Sequence, residues 1–211
     1  MMIKGICMLA GIAIAMMPLV AQASQSVYTD VDLDHCKSLS QPSDDQPGDF
    51  VSLQCKGYKD YPLYYAEGDL RQTVHFGHLD KEIIDQAFET FGPFNYIGKK
   101  VEWRLDDKGQ PYAAILRYFI QNANPDTAMP DKPHEGQVLV ISRIGRPDDK
   151  RGCVVGYVDA LKNPEPNVLA RKVADEMAVS FVCGKDRPVF HGEKTEPGND
   201  PAYNFPGADQ Q

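Results

Sequence analysis

Tyrosines and charged residues near one predicted β-hairpin form the strongest candidate binding feature in the sequence. Tyr58, Tyr61 and Tyr64 precede the turn, and Glu67 and Arg71 lie at its two sides. Tyrosine rings at a wet surface can stack on sugars or anchor a protein partner. The alternative is cross-strand packing, because aromatic residues are favourable in strands. We predict a binding surface at these five residues.

The same hairpin supports a catalytic alternative. Glu67 and Asp69 could act as acid and base in glycoside hydrolysis, but such carboxylates must face each other across a substrate. Glu67-Gly68-Asp69 is instead typical of a tight turn in which Gly68 supplies the positive φ, with a local contact from Arg71. The sequence has no nucleophile elbow, phosphate-binding loop, dinucleotide fingerprint or HExxH motif. These observations favour a protein that is not an enzyme.

An acidic run after the N-terminal segment has part of a calcium-loop pattern. Asp30, Asp32 and Asp34 stand at alternate positions, but His35 replaces the glycine that such a loop requires, and Gln41 replaces its bidentate glutamate. The alternation with apolar residues predicts an amphipathic strand instead.

Two histidines are the other potential metal ligands. His75 and His78 are three residues apart, so on one strand they would face opposite sides. A zinc enzyme site needs three protein ligands, and the third would have to come from a distant part of the chain. We therefore predict that His75 is a surface residue on a strand and that His78 is a loop residue before the first helix. We predict neither a metal site nor a cofactor.

The first 23 residues have the pattern of a secretory signal peptide. A short positive start ending at Lys4 is followed by an apolar run over residues 5–20 and by the small-residue site Ala21-Gln22-Ala23. The mature protein is predicted to begin at Ser24 and to be periplasmic or secreted. No later stretch is apolar enough to span a bilayer.

The cysteine count agrees with export. Of five cysteines, Cys7 would leave with the signal peptide, and an even number remains, as expected for two disulfides. Three connectivities are possible for these four. We favour Cys36–Cys55 and Cys153–Cys183, because the members of each pair are near in sequence and lie at the edges of predicted elements.

The charge balance is acidic. The chain has 30 acidic and 22 basic residues and a net charge of −8. Removal of Lys4 with the signal peptide would take away one basic residue and change the net charge to −9. Nucleic-acid binding is disfavoured, because phosphates require a basic surface. A cationic protein or an envelope polymer is a suitable partner.

The periodicity predicts one α+β domain over residues 24–188, with a meandering antiparallel sheet and two helices packed on one face. The first helix is predicted from Asp80 to Phe91, and the second has an apolar stripe from Leu169 to Phe181. The segment 112–120 is apolar on both faces and is predicted to be a central strand. Residues 189–211 are rich in proline, glycine and polar residues and are predicted to form a mobile tail.

Three segments carry a resemblance. Glu67-Gly68-Asp69-Leu70-Arg71, Cys153-Val154-Val155-Gly156-Tyr157-Val158-Asp159 and Asn167-Val168-Leu169-Ala170-Arg171 together resemble small exported bacterial proteins of unknown function. The resemblance covers most of the mature chain. It implies a location in the bacterial envelope and no particular activity.

Together these observations predict an exported, disulfide-stabilised protein that binds another macromolecule, as an inhibitor does. One alternative is a cell-envelope hydrolase that uses Glu67, Asp69 or a histidine. Another is a module that binds a small ligand between the sheet and the helices.

Overall fold

Strands are the main regular structure in the part of the chain that is described. The computed structural model describes residues 25–39, 50–195 and 198–208, so the predicted signal peptide lies outside it. The strands are β1 (Gln25–Asp30), β2 (Lys37–Ser38), β3 (Phe50–Tyr58), β4 (Tyr61–Gly68), β5 (Arg71–Phe76), β6 (Thr90–Phe91), β7 (Asn95–Leu105), β8 (Pro111–Ile120), β9 (Gly136–Arg143), β10 (Cys153–Asp159), β11 (Val189–Phe190) and β12 (Pro201–Ala202). The α-helices are α1 (Lys81–Gln86) and α2 (Pro166–Met177), and a 3-10 helix spans Lys132–His134.

The predicted α+β class with one sheet is wrong, because the protein is mostly β, with 45% of the described residues in strands and 12% in helices. The helix expected over residues 80–91 ends at Gln86. Ala87 is extended, with φ −72° and ψ 128°, and Thr90–Phe91 form β6, which pairs with β12. Residues 87–91 have helical spacing of apolar residues but do not form a helix, because Thr90–Phe91 form backbone hydrogen bonds with a distant strand instead.

Two main sheets replace the single sheet. Their strand orders are β1-β7-β8-β9-β10-β11 and β2-β3-β4-β5, and β12 and β6 form a small third sheet. Neighbouring strands are antiparallel except β10 and β11, which are parallel. β8 lies inside the six-stranded sheet, which confirms the prediction of a central strand.

The six-stranded sheet is buried on both faces. Alternate residues of β8 face opposite ways, so Leu116 and Tyr118 join the core between the two main sheets, whereas Ile115 joins a second core beneath α2. Trp103 on β7 is fully buried in the first core, and its Nε1 donates to Thr29 Oγ1 at 2.8 Å. The fold thus has three layers: the four-stranded sheet, the six-stranded sheet and α2.

Glycines allow the two sheets to meet at one corner. His78 N donates to Gly145 O at 2.8 Å, and Gly145 N donates to Phe76 O at 2.9 Å. A Cβ at Gly145 would lie 2.2 Å from His78 O, and one at Gly77 would lie 2.3 Å from Gly145 O. Side chains at these two positions would separate β5 from the end of β9, so the corner requires glycine.

The two predicted disulfides are confirmed. Cys36 pairs with Cys55 and Cys153 pairs with Cys183, with Cα–Cα distances of 4.4 and 5.7 Å. Cys183 lies six residues beyond the end of α2, and its bond holds the segment after the helix against the first residue of β10. Both bonds indicate an oxidising, non-cytoplasmic location.

The described part of the C-terminal segment packs against the fold. β11 pairs with β10, β12 pairs with β6, and Phe205 is 4% exposed. The anchor is the fully buried Asp159, whose Oδ2 accepts from Thr195 N at 3.0 Å, Thr195 Oγ1 at 2.7 Å and Asn199 Nδ2 at 3.1 Å. The mobility of residues 189–211 stays a prediction.

The disulfides predict a chemical and a thermal result. Alkylation of the unreduced mature protein is expected to label no cysteine, and reduction is expected to lower the melting temperature, because each bond stabilises the fold by about 3 kcal/mol. Mass spectrometry after alkylation and thermal unfolding with and without reductant measure both. One cysteine that is readily labelled in the native protein would contradict the pairing.

Asp159 predicts a loss of stability in acid. Burial alone would raise the pKa of Asp159, but hydrogen bonds from Thr195 and from the backbone N–H groups of Leu161 and Lys162 lower it overall. Because the folded-state pKa is depressed, this stabilisation is present above the unfolded pKa of about 3.9 and is lost as pH falls through the folded value.

Replacement by Asn isolates this contribution. Asp159→Asn is expected to destabilise the protein by about 2 kcal/mol at pH 7, because an amide cannot accept on both sides. Urea unfolding from pH 7 to pH 3 is expected to show the difference from wild type shrinking below pH 4. The exposed Asp107→Asn is the control, and a difference that does not change with pH would contradict this account.

Candidate functional site

The three predicted binding tyrosines do not share a surface. The ring of Tyr58 packs 6.1 Å from that of Trp103, between centroids. Tyr61 is 5% exposed and donates its hydroxyl to Gln110 Oε1 at 3.2 Å. Tyr64 packs against the helix-side core, and burial raises its pKa. Of the five predicted binding residues, Glu67 and Arg71 are therefore the two that lie beside one exposed surface.

That surface is the tip of the β4–β5 hairpin, a two-residue turn made by Asp69 and Leu70. Their φ angles are +49° and +57°, so both residues are left-handed, as in a type I′ turn. Gly68, which was predicted to supply the positive φ, lies in β4 instead. Left-handed backbone is unfavourable for a leucine, and such strain persists only where surrounding contacts enforce it.

Arg71 supplies the first set of these contacts. Its Nε donates to Gly92 O at 2.7 Å, and its NH1 donates to Asp69 O at 2.9 Å and to the Asp69 carboxylate. The guanidinium also lies over the ring of Phe94, 5.0 Å from its centroid. Arg71 thereby attaches the turn to the segment that leads into β7.

Backbone N–H groups and partly or fully buried polar side chains supply the second set. Asn95 N donates to Leu70 O at 3.1 Å, and Asn95 Oδ1 accepts from Gln72 N at 3.1 Å. Glu67 Oε2 accepts from Tyr65 OH and from Gln72 Nε2, both at 2.6 Å. Burial, followed by the hydrogen bond to Glu67, raises the pKa of Tyr65, so its hydroxyl stays protonated and donates. The turn is held from both sides.

The braced tip exposes apolar side chains. Leu70 is 61% exposed, and Phe50, which pairs with Gly68 across the sheet, is 52% exposed. The exposed carboxylate of Asp69 stands beside them. A rigid loop loses little conformational entropy when it binds, so the tip can present one leucine to a partner with small ordering cost. The sequence signal for it was an apolar residue in a tight turn.

A buried ionisable pair was not found by sequence reasoning. The Glu89 side chain is fully buried, and its Oε2 accepts from Val154 N at 2.9 Å and lies 3.0 Å from His75 Nε2. Glu89 Oε1 and the Tyr157 hydroxyl have no hydrogen-bond partner among the described residues. His75, which was predicted to lie on the surface, is 5% exposed. These groups lie in the interior, where they join β5 to the bulge in β10.

Comparisons with known proteins found no similar protein. No model of a protein family matches the chain, and no curated protein and no solved structure matches it. Within the described residues, no three His, Cys, Asp or Glu side chains are grouped so that they could hold a metal ion. In the same part of the chain, no helix is both long enough and apolar enough to cross a membrane.

The strain at Leu70 predicts that glycine stabilises the turn. Leu70→Gly is expected to raise the free energy of unfolding by up to about 1 kcal/mol, because glycine adopts positive φ without steric cost. Urea unfolding measures the change. Leu161→Gly is the matched control, since Leu161 is similarly exposed but has no positive φ. A Leu70→Gly protein less stable than wild type would contradict the assignment of strain.

Proposed function

We propose that this protein is a non-enzymatic binding module that captures a cationic protein through the Asp69–Leu70 turn. The observation that carries the proposal is a strained turn, held from both sides, that exposes a large apolar side chain. Binding loops that are rigid before they meet a partner avoid the entropy cost of ordering. An exposed leucine in a left-handed conformation costs stability, and a binding role accounts for that cost.

Charge supports a cationic partner. The chain carries 30 acidic and 22 basic residues, and the carboxylates nearest the turn are Glu67 and Asp69. Asp69 keeps most of its surface in water although it contacts Arg71. An acidic surface speeds the approach of a basic partner and selects against acidic proteins. The disulfides support an oxidising location for such a module, where an inhibitor of secreted basic hydrolases would act.

The geometry favours this function over the hydrolase alternative. Glu67 is engaged by Tyr65 and Gln72, and Asp69 by Arg71, so each carboxylate already has hydrogen-bond donors from its own hairpin. Both residues belong to one turn, whereas a glycoside hydrolase needs its two carboxylates on either side of the bond that is cleaved. Release of fragments from purified cell wall, abolished by Glu67→Gln, is the result that would favour the hydrolase.

A binding measurement with matched leucine variants tests the proposal. The mature protein is immobilised, and basic lysozymes are passed over it at low and high salt. Wild type is expected to retain at least one lysozyme and to release it at high salt, and Leu70→Ala is expected to weaken retention about tenfold, the loss of one central apolar contact.

Leu161→Ala is the control, because it removes an equally exposed leucine elsewhere and should leave retention unchanged. Failure to retain any lysozyme would overturn the lysozyme version of the proposal. Equal losses in both variants would show nonspecific attraction to an acidic surface and would overturn the role of the turn.

A further inference from the structure

Arg117 lies on the helix-bearing face of the six-stranded sheet and has no carboxylate partner among the residues that the structure describes. In β8, residues 115, 117 and 119 share one face, because side chains alternate along a strand. Ile115 and the cross-strand partner of Arg117, Leu139, both belong to the core beneath α2. The guanidinium makes one hydrogen bond to the described residues, from NH1 to Gln137 Oε1 at 3.0 Å.

Other arginines on the same face are paired. Arg104 donates to both oxygens of Asp175, at 2.9 and 2.7 Å, and Arg171 donates to Glu102 Oε1 at 2.6 Å. Arg117 forms no ion pair within the described part of the chain, although acidic residues outnumber basic ones in this protein. Burial lowers the pKa of Arg117, and no neighbouring carboxylate is found to offset that effect. A half-buried charge without a partner costs stability.

A row of two aromatic side chains and one amide lies beside Arg117 on the same face of the sheet. Tyr96, Phe119 and Gln137 lie in one row across three neighbouring strands. The rings of Tyr96 and Phe119 are stacked, with centroids 4.9 Å apart and planes at 13°. All three side chains are partly exposed, so this row is open to solvent.

Gly98 keeps the surface beside Arg117 free of a side chain. It lies where the pairing of β7 with β8 shifts, and a Cβ built there would lie 3.2 Å from Arg117 O, 3.5 Å from the Arg117 Cβ and 3.7 Å from Phe119 Cε2. Glu135, which directly precedes β9, already accepts from Tyr96 OH at 2.8 Å and from Lys132 at 2.9 Å.

We propose that Arg117, Gln137, Phe119 and Tyr96 form a binding site for a small organic carboxylate with an apolar body. The guanidinium presents parallel N–H donors that match a carboxylate, while Gln137 orients it. Phe119 offers an apolar wall for the rest of the ligand. The site is separate from the Asp69–Leu70 turn and does not depend on the function proposed for it.

Benzoate tests the site directly, with benzamide as its uncharged counterpart and inorganic phosphate as a second anion. Benzoate is expected to shift the NMR signals of the Arg117 Nε–H and the Phe119 ring in a saturable way, whereas benzamide does not. Arg117→Met is expected to weaken benzoate binding about tenfold or more, the loss of a charge-assisted hydrogen bond. Arg146→Gln is the control, because it removes an arginine elsewhere in the chain and should leave binding unchanged.

Stability separates a binding role from a structural one. Arg117→Met is expected to melt at the wild-type temperature or above, since it removes a charge that no carboxylate stabilises. Arg104→Met is expected to melt several degrees lower, because it removes the guanidinium that donates to both oxygens of Asp175. Three results would overturn the proposal: no saturable shift with benzoate up to about 10 mM, binding that survives Arg117→Met, or phosphate bound as tightly as benzoate.

Discussion

Strand β8 is buried on both faces, and this double burial constrains every other element. One face packs into the core between the two main sheets, and the other packs beneath α2. A strand in that position cannot slip by one residue without turning both sets of side chains to the wrong layer. Because β7 and β9 pair with β8, the register of β8 also determines which of their side chains face each layer. The helix α2 lies on the face that the four-stranded sheet does not cover.

Polar side chains complete what the strands leave unsatisfied. Where β10 departs from regular pairing, Glu89 accepts the N–H of Val154 and joins it to His75 on β5. Where β10 ends, Asp159 accepts from the residues that follow it and from the C-terminal segment. Buried backbone donors need such partners, so these two carboxylates fix how the sheets and the C-terminal segment meet.

The proposed binding features depend on that rigid frame in different ways. The Asp69–Leu70 turn is strained, and Arg71 and Asn95 hold it in place from the segment that leads into β7. Arg117 carries a charge that the sheet half buries and no described carboxylate neutralises. Each feature lowers the free energy of unfolding. The two disulfides and the sheet that is buried on both faces stabilise the fold against this loss. Local departures from the most stable arrangement are expected where a protein binds something else.

The sequence alone determined what depends on neighbouring residues. It predicted both disulfides, because each pair is near along the chain, and it predicted β8 as a central strand, because an unbroken apolar run suits burial on both faces. Tertiary structure decided the rest. The helix expected to reach Phe91 stops at Gln86 because β12, more than a hundred residues away, pairs with β6. The burial of Glu89, the left-handed turn at Leu70 and the isolation of Arg117 likewise depend on contacts between distant segments, and periodicity along one segment carries no information about them.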